Sequence, residues 1–299
     1  MEVQKLKGHV AMLAANTMWG LMAPAVKYVI AGGVISSLVM TDLRIIGAAV
    51  LFWITSLFLP SEKVPLKDKA LMAGAGMLGI LFNQGCYVFG VGLTSPGDAS
   101  IITTTMPMWV MILAWLLLGE PITMKKAGGI ALGACGALIL VLSATQSKVS
   151  GNDPIVGDIL VLCAQMSYAL YLTFYRNFIK KYSLVTLMKW MFTSAAIVII
   201  PFSINPLSHT QWSLLTGAET ASVCFVVFFS TYIAYICIMT GQKQLRPTLV
   251  GMYNYFQPIV ATGVAFYLGL ETFSLWKALA VALIFTGVYL VAISKAKTS

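Results

Sequence analysis

Long apolar runs alternate along this chain with short interruptions rich in charge, glycine, proline or serine. Ten runs stand out, at 9–30, 37–59, 70–92, 97–118, 125–143, 156–177, 184–204, 213–240, 248–269 and 273–294. Each is close to the ~20 mostly apolar residues that a helix needs to cross a ~30 Å hydrocarbon core. The sharpest interruptions are Pro60-Ser61-Glu62-Lys63, the polar 144–155 segment, and Lys180-Lys181-Tyr182-Ser183. The pattern predicts an all-α integral membrane protein with ten transmembrane helices. The 144–155 linker divides it into two units of five helices, 1–149 and 150–299. The first run follows Lys5 and Lys7 like a signal peptide, but a second span follows at once, so it is read as a retained helix.

Composition agrees and removes other classes. Of 299 residues, 59% are hydrophobic and 10% charged, against the roughly 25% charged residues of a soluble domain. Ten spans leave about 100 residues for loops and tails, too few for a sizeable extramembrane domain. The five cysteines lie inside apolar runs without C-x-x-C spacing, so they read as small packing residues, not disulfides or metal ligands.

The net charge of +9 gains its meaning from position. With the N-terminus in the cytoplasm, 14 basic residues fall in inner segments, against Lys27, Lys148 and Lys277 outside. Both termini are therefore expected in the cytoplasm, in a cytoplasmic (inner) membrane. The charge reads as an orientation signal, not a nucleic-acid surface.

The two units resemble each other. At an offset of 151, Pro107 meets Pro258, Glu120 meets Glu271, Gln84 meets Tyr235 and Thr103 meets Asn254. At an offset of 149, Asn16 meets Gln165 and Trp19 meets Tyr168. An odd number of spans per unit sends the second copy in from the opposite side, and the basic bias of equivalent loops is reversed accordingly. Two inverted five-helix repeats around a central cavity are expected, an arrangement common in alternating-access transporters.

Met18-Trp19-Gly20 in the first span, Leu118-Gly119-Glu120 at the end of the fourth, and Gly128-Gly129 through Gly136 in the fifth carry a family resemblance. The chain resembles the drug/metabolite transporter superfamily, with two EamA-type repeats over nearly its whole length. The second copy departs from the pattern at Gly269-Leu270-Glu271. The resemblance implies a carrier of small metabolites, commonly amino acids and often in the export direction. It leaves open drugs, nucleosides and sugar-type metabolites.

Polar side chains at membrane depth normally face a cavity or another helix. The expected substrate contacts are Asn16, Trp19, Gln84, Tyr87, Thr103, Gln165, Tyr168, Tyr235, Tyr253 and Asn254. The competing reading is interhelical glue, since such hydrogen bonds average only about 0.6 kcal/mol. Neutral polar groups among aromatic rings suit an amphipathic or zwitterionic solute, whose ammonium the rings could hold. Pro107 and Pro258 fall near the middle of their spans, where proline frees the carbonyls of Thr103 and Asn254, as a substrate contact, a gate or a structural kink.

Arg44 reads either as a vestibule charge attracting a substrate carboxylate from outside or as a residue that snorkels outward or pairs with a helix end. Glu219 is either a proton carrier or an outer-interface residue. Glu120 and Glu271 are expected to stabilise the positive ends of the next helices, with Thr123 and Ser274 as N-caps. Tyr28, Tyr182, Trp212 and Trp276 are expected as interface anchors. Gly129 and Gly133 form a G-x-x-x-G face for internal packing or a dimer contact.

No nucleophile–base pair, metal-ligand cluster or phosphate loop is legible, so an enzyme is not expected, nor any metal or cofactor. The expected function is secondary transport of a small organic metabolite, with amino-acid export first. The alternatives are export of drugs, nucleosides or sugar-type metabolites, proton coupling, or a channel-like facilitator. The expected partners are the small-molecule substrate and the lipid bilayer, with the protein a monomer or weak homo-oligomer.

Overall fold

The computed structural model describes residues 2–94, 102–143, 154–267 and 274–294, and these are helical throughout apart from turns and short connections. The helices are α1 (Glu2–Ala31), α2 (Ser37–Leu57), α3 (Leu66–Gly76), α4 (Asn83–Leu93), α5 (Met106–Leu118), α6 (Met124–Ser143) and α7 (Pro154–Phe174). They continue as α8 (Leu184–His209), α9 (Gly217–Val227), α10 (Ala234–Gln244), α11 (Pro247–Met252), α12 (Phe256–Tyr267) and α13 (Leu275–Ala292). Among the described residues, six segments are long and apolar enough to cross a membrane: Ser37–Leu57, Leu66–Gly90, Ile155–Phe174, Leu184–His209, Gly217–Gln244 and Leu275–Ala292.

Large apolar side chains such as Phe58, Phe202 and Trp115 are exposed, while Asn16, Thr41, Asp42, Thr173, Ser203, Ser230 and Thr231 are fully buried beside a mostly apolar core. So wide an apolar surface is stable when the surroundings are hydrocarbon. The protein is a multi-pass membrane protein.

Two long segments change their winding midway. A π-helical turn, Met77–Phe82, joins α3 to α4, and a second, Phe228–Ile233, joins α9 to α10. Met77 to Phe228 and Phe82 to Ile233 are both steps of 151 residues. A π turn widens the helix by one residue and leaves backbone groups poorly paired, which is why such turns gather at functional sites.

The prolines do not kink continuous helices. The chain turns at Thr104 and Thr105, and α5 then starts with Pro107 in its first turn. A 3₁₀ turn, Tyr253–Tyr255, separates α11 from α12, which opens with Phe256, Gln257 and Pro258. Proline is tolerated in a first turn because its missing N–H would be unpaired there anyway. The expected release of the Asn254 carbonyl is offset in part, since the Phe256 amide donates to it.

The main helix pairings are α6 with α13, α2 with α8, α4 with α7, α1 with α10, α5 with α7, and α1 with α12. Each joins a helix before residue 144 to one after residue 153. The tightest is α6 on α13: a Cβ on Gly287 would sit 2.5 Å from the Gly129 carbonyl oxygen, and one on Gly129 would sit 2.7 Å from that of Gly287. The glycine face of α6 is thus spent on internal packing, with Gly133 lying against Tyr255.

Candidate functional site

The centre of the bundle is built where the two π turns face α1 and α7. Trp19 on α1 donates its indole N–H to the Ser230 carbonyl, 3.0 Å away in the second π turn. Its ring meets Tyr168 edge-on at 6.5 Å and Tyr235 at 6.0 Å. Tyr235 accepts a hydrogen bond from Gln84 Nε2 at 2.8 Å and donates to the Gly79 carbonyl of the first π turn. The Tyr168 hydroxyl accepts from Gln242 Nε2 at 3.1 Å, and Gln242 Oε1 accepts from Tyr171 at 2.8 Å. Phe192 closes on Tyr235 at 5.0 Å.

A second cluster links α1 to α12. Gln257 Nε2 donates to Asn16 Oδ1 at 3.0 Å and to Asn254 Oδ1 at 3.3 Å. Tyr253 reaches His9 instead, hydroxyl to Nδ1. Gln165 is buried on α7, one turn before Tyr168, while Thr103 and Tyr87 are half-buried. The expected residues therefore fall into an aromatic–amide group (Trp19, Gln84, Tyr168, Tyr235) and an amide group (Asn16, Asn254), with Tyr253 beside the latter. Gln242 is absent from the expected set because the eighth apolar run ends two residues before it. Ser230, Thr231 and Gln257 also lie outside the expected set.

Arg44 does not snorkel outward. It is only 4% exposed, and its Nε donates to Thr231 Oγ1 at 3.1 Å inside the second π turn. Asp42 is fully buried, accepting from Ser203 on α8 through Oδ1. Glu219 forms a reciprocal cap with Thr216 at the start of α9, a structural task.

The end of the bundle where α1 begins is cross-tied by charge. Gly119 ends α5 in the left-handed conformation at φ 63°, the backbone of a helix-terminating turn in which the Glu120 amide donates to the Ala114 carbonyl. This turn aims the buried Glu120 carboxylate at three partners: Lys126 Nζ at 3.1 Å, Arg176 Nη1 at 3.0 Å and Thr248 Oγ1 at 3.2 Å. Thr123 caps α6, accepting from the Lys126 amide, so Glu120 is an ion-pair hub and not the cap. Glu271 lies outside the described residues, whereas Ser274 accepts from the Trp276 amide as expected.

Nearby, Asp68 accepts from Lys181 and from the Tyr182 hydroxyl, and Lys243 donates to the Tyr182 carbonyl. Tyr182 is buried in this tie and is not an exposed interface anchor. Both Glu62 oxygens accept the Ser183 amide at 3.1 Å, at the positive end of α8. The Asp68 carboxylate raises the pKa of Lys181 by hydrogen bonding and by its charge, and does the same to Tyr182. Among the described residues no three His, Cys, Asp or Glu side chains converge as metal ligands.

Comparison with known proteins follows this geometry. A model described as the EamA-like transporter family matches residues 6–142 and 155–293. An uncharacterized transporter of Archaeoglobus fulgidus is 24% identical over 96% of this chain and 99% of its own length. A probable amino-acid metabolite efflux pump of Escherichia coli is 27% identical over 78% of this chain and 79% of its own. A solved crystal structure superposes with a TM-score of 0.79 at 18% identity, covering 98% of this chain and 97% of that one, which shows a shared fold.

Proposed function

The chain belongs to the EamA-like transporter family, and from that premise we propose that it is a secondary carrier working by alternating access. Its two halves, 1–149 and 150–299, are inverted five-helix repeats that rock about the aromatic–amide centre. The observation that carries this reading is contact between repeat-equivalent residues: Trp19 against Tyr168, and Gln84 bonded to Tyr235. Elements related by a pseudo-two-fold axis touch their own counterparts only beside that axis. The paired π turns and the reciprocal packing of α1 with α10 and α4 with α7 support the same axis. Transporter sites lie at such repeat interfaces, near discontinuous helices.

The end of the bundle carrying Glu120 and Asp68 faces the cytoplasm, with both termini there, and the cross-ties close it. The protein is a monomer or weak homo-oligomer in a cytoplasmic membrane. The central cavity opens when the rings of Trp19, Tyr168 and Tyr235 part. The substrate is a small organic metabolite, an amino acid moved outward, a reading supported by the printed name of the Escherichia coli relative. The test is counterflow of a metabolite panel, including amino acids, nucleosides and hexoses, by purified protein in liposomes. Saturable, trans-stimulated uptake is expected, and an unsaturable conductance would favour a channel.

One observation favours a proton-coupled variant of this reading. Asp42 is fully buried, and its Oδ2 has no hydrogen-bond partner among the described residues. A carboxylate in that position is costly when charged. An imposed pH gradient that drives accumulation, lost in Asp42→Asn, would establish coupling.

A further inference from the structure

Arg44 is a buried cation without an anion among the described residues. Three ion pairs occur among the described residues, Lys126–Glu120, Arg176–Glu120 and Lys181–Asp68, and none includes Arg44. Its neighbour Asp42 is two residues earlier, about 200° around a helix, and bonds to Ser203 on a different face of α2. Among the described residues Arg44 has one hydrogen bond, to Thr231. Desolvating an unpaired charge costs several kcal/mol even after relaxation.

A second group near the π turns is also incomplete. Gln84 bonds Tyr235 through one end of its amide, and the other end, Oε1, is buried without a partner among the described residues. The cation tied to Thr231 and the amide tied to Tyr235, four residues further along the same segment, thus both stand incomplete at the junction of the two halves. Both are unusual, because buried polar groups are nearly always satisfied. A bound molecule that brings an anionic group to one and a hydrogen-bonding group to the other would complete both.

We propose that Arg44 is the residue of the transport site that binds the substrate's carboxylate. This rests on the transport reading above and goes further, by naming the side chain that recognises the substrate's charged end. The guanidinium matches a carboxylate through two parallel N–H bonds, a geometry that an ammonium does not offer. The molecule's body lies against the rings of Trp19, Tyr168 and Tyr235, and its own polar group meets Gln84.

The test compares the standard L-amino acids with their α-carboxamides, alongside hexoses and nucleosides, in counterflow by wild-type protein, Arg44→Lys and Arg44→Gln in liposomes. The wild type is expected to take carboxylates at least about tenfold better than the matching carboxamides, the loss that one charge-assisted bond implies. Arg44→Lys keeps that preference with weaker affinity, and Arg44→Gln loses it. Carboxamides or neutral solutes moving as well as carboxylates in the wild type overturn the inference and leave transport standing. So does an Arg44→Gln protein that retains the full preference. Should Arg44→Gln fail to fold, the wild-type comparison decides alone. Failure of the wild type to move any member of the panel overturns the transport reading, and this inference with it.

Discussion

Gln84 and Tyr235, 151 residues apart in sequence, are joined by a 2.8 Å hydrogen bond at the middle of the bundle. Trp19 and Tyr168, 149 residues apart, meet there edge to face. The same four side chains are the expected substrate contacts and the seam between the two halves. A solute bound at this seam touches both halves at once, so their relative motion and its release are one event.

Replacing Trp19 and Tyr168 together by alanine removes an aromatic pair that contributes about 0.5–1.5 kcal/mol beyond its buried area. Half-saturation in counterflow is expected to rise roughly tenfold, with altered ranking among substrates. Unchanged flux and selectivity in the double variant would count against the seam as the binding site.

Glu120 neutralises Lys126, a lysine that is 1% exposed. Glu120→Gln leaves that cation buried and unpaired, at a cost of about 3–5 kcal/mol. Thermal unfolding in detergent should move down accordingly. Adding Lys126→Met should recover part of the loss, because a buried pair removed together costs less than one partner removed alone. Additive losses would show that the two residues are not coupled.

The Lys181 tie has a defined pH response. Asp68 raises the Lys181 pKa above its ordinary value near 10.4. A cation whose pKa is raised on folding contributes its stability below the unfolded value and loses it as pH climbs through the folded one. The melting difference between wild type and Lys181→Met should therefore stay constant from about pH 6 to 9 and shrink only above about pH 10. A difference that vanished near neutrality would contradict the assignment.

The α6–α13 crossing tolerates no side chain at Gly287, where a Cβ would meet the Gly129 carbonyl at 2.5 Å. At Gly263 on α12 a Cβ meets nothing within 4 Å. Gly287→Leu should lower thermal stability by at least the ~1–3 kcal/mol typical of overpacking, with Gly263→Leu close to wild type. Equal behaviour of the two variants would remove the crossing from the account.

The helix limits were legible because apolar runs and polar breaks are set by the surrounding hydrocarbon. α2, expected at 37–59, is Ser37–Leu57, and α8, expected from residue 184, begins there. Capping was legible at Thr123 and Ser274 for the same local reason. The π turns were not, since Met-Leu-Gly-Ile-Leu-Phe and Phe-Phe-Ser-Thr-Tyr-Ile carry no periodicity distinct from an α-helix. The partners of Arg44 and Glu120 were not legible because they lie far along the chain: Thr231 is 187 residues from Arg44, and Arg176 is 56 from Glu120. Pro107 and Pro258 were expected near the middle of their spans, and each lies in the first turn of a helix.

The central claim, that the two halves alternate about this seam, is tested most directly by the distance between spin labels at Lys67→Cys and Lys180→Cys. The native cysteines are replaced by alanine for this measurement. The two positions are exposed and flank the Asp68–Lys181 tie between the halves. The account predicts a major short-distance population and a minor longer one in liposomes, with the longer population growing when Glu120→Gln and Asp68→Asn cut the ties. A single distance, unchanged by those substitutions, would contradict it.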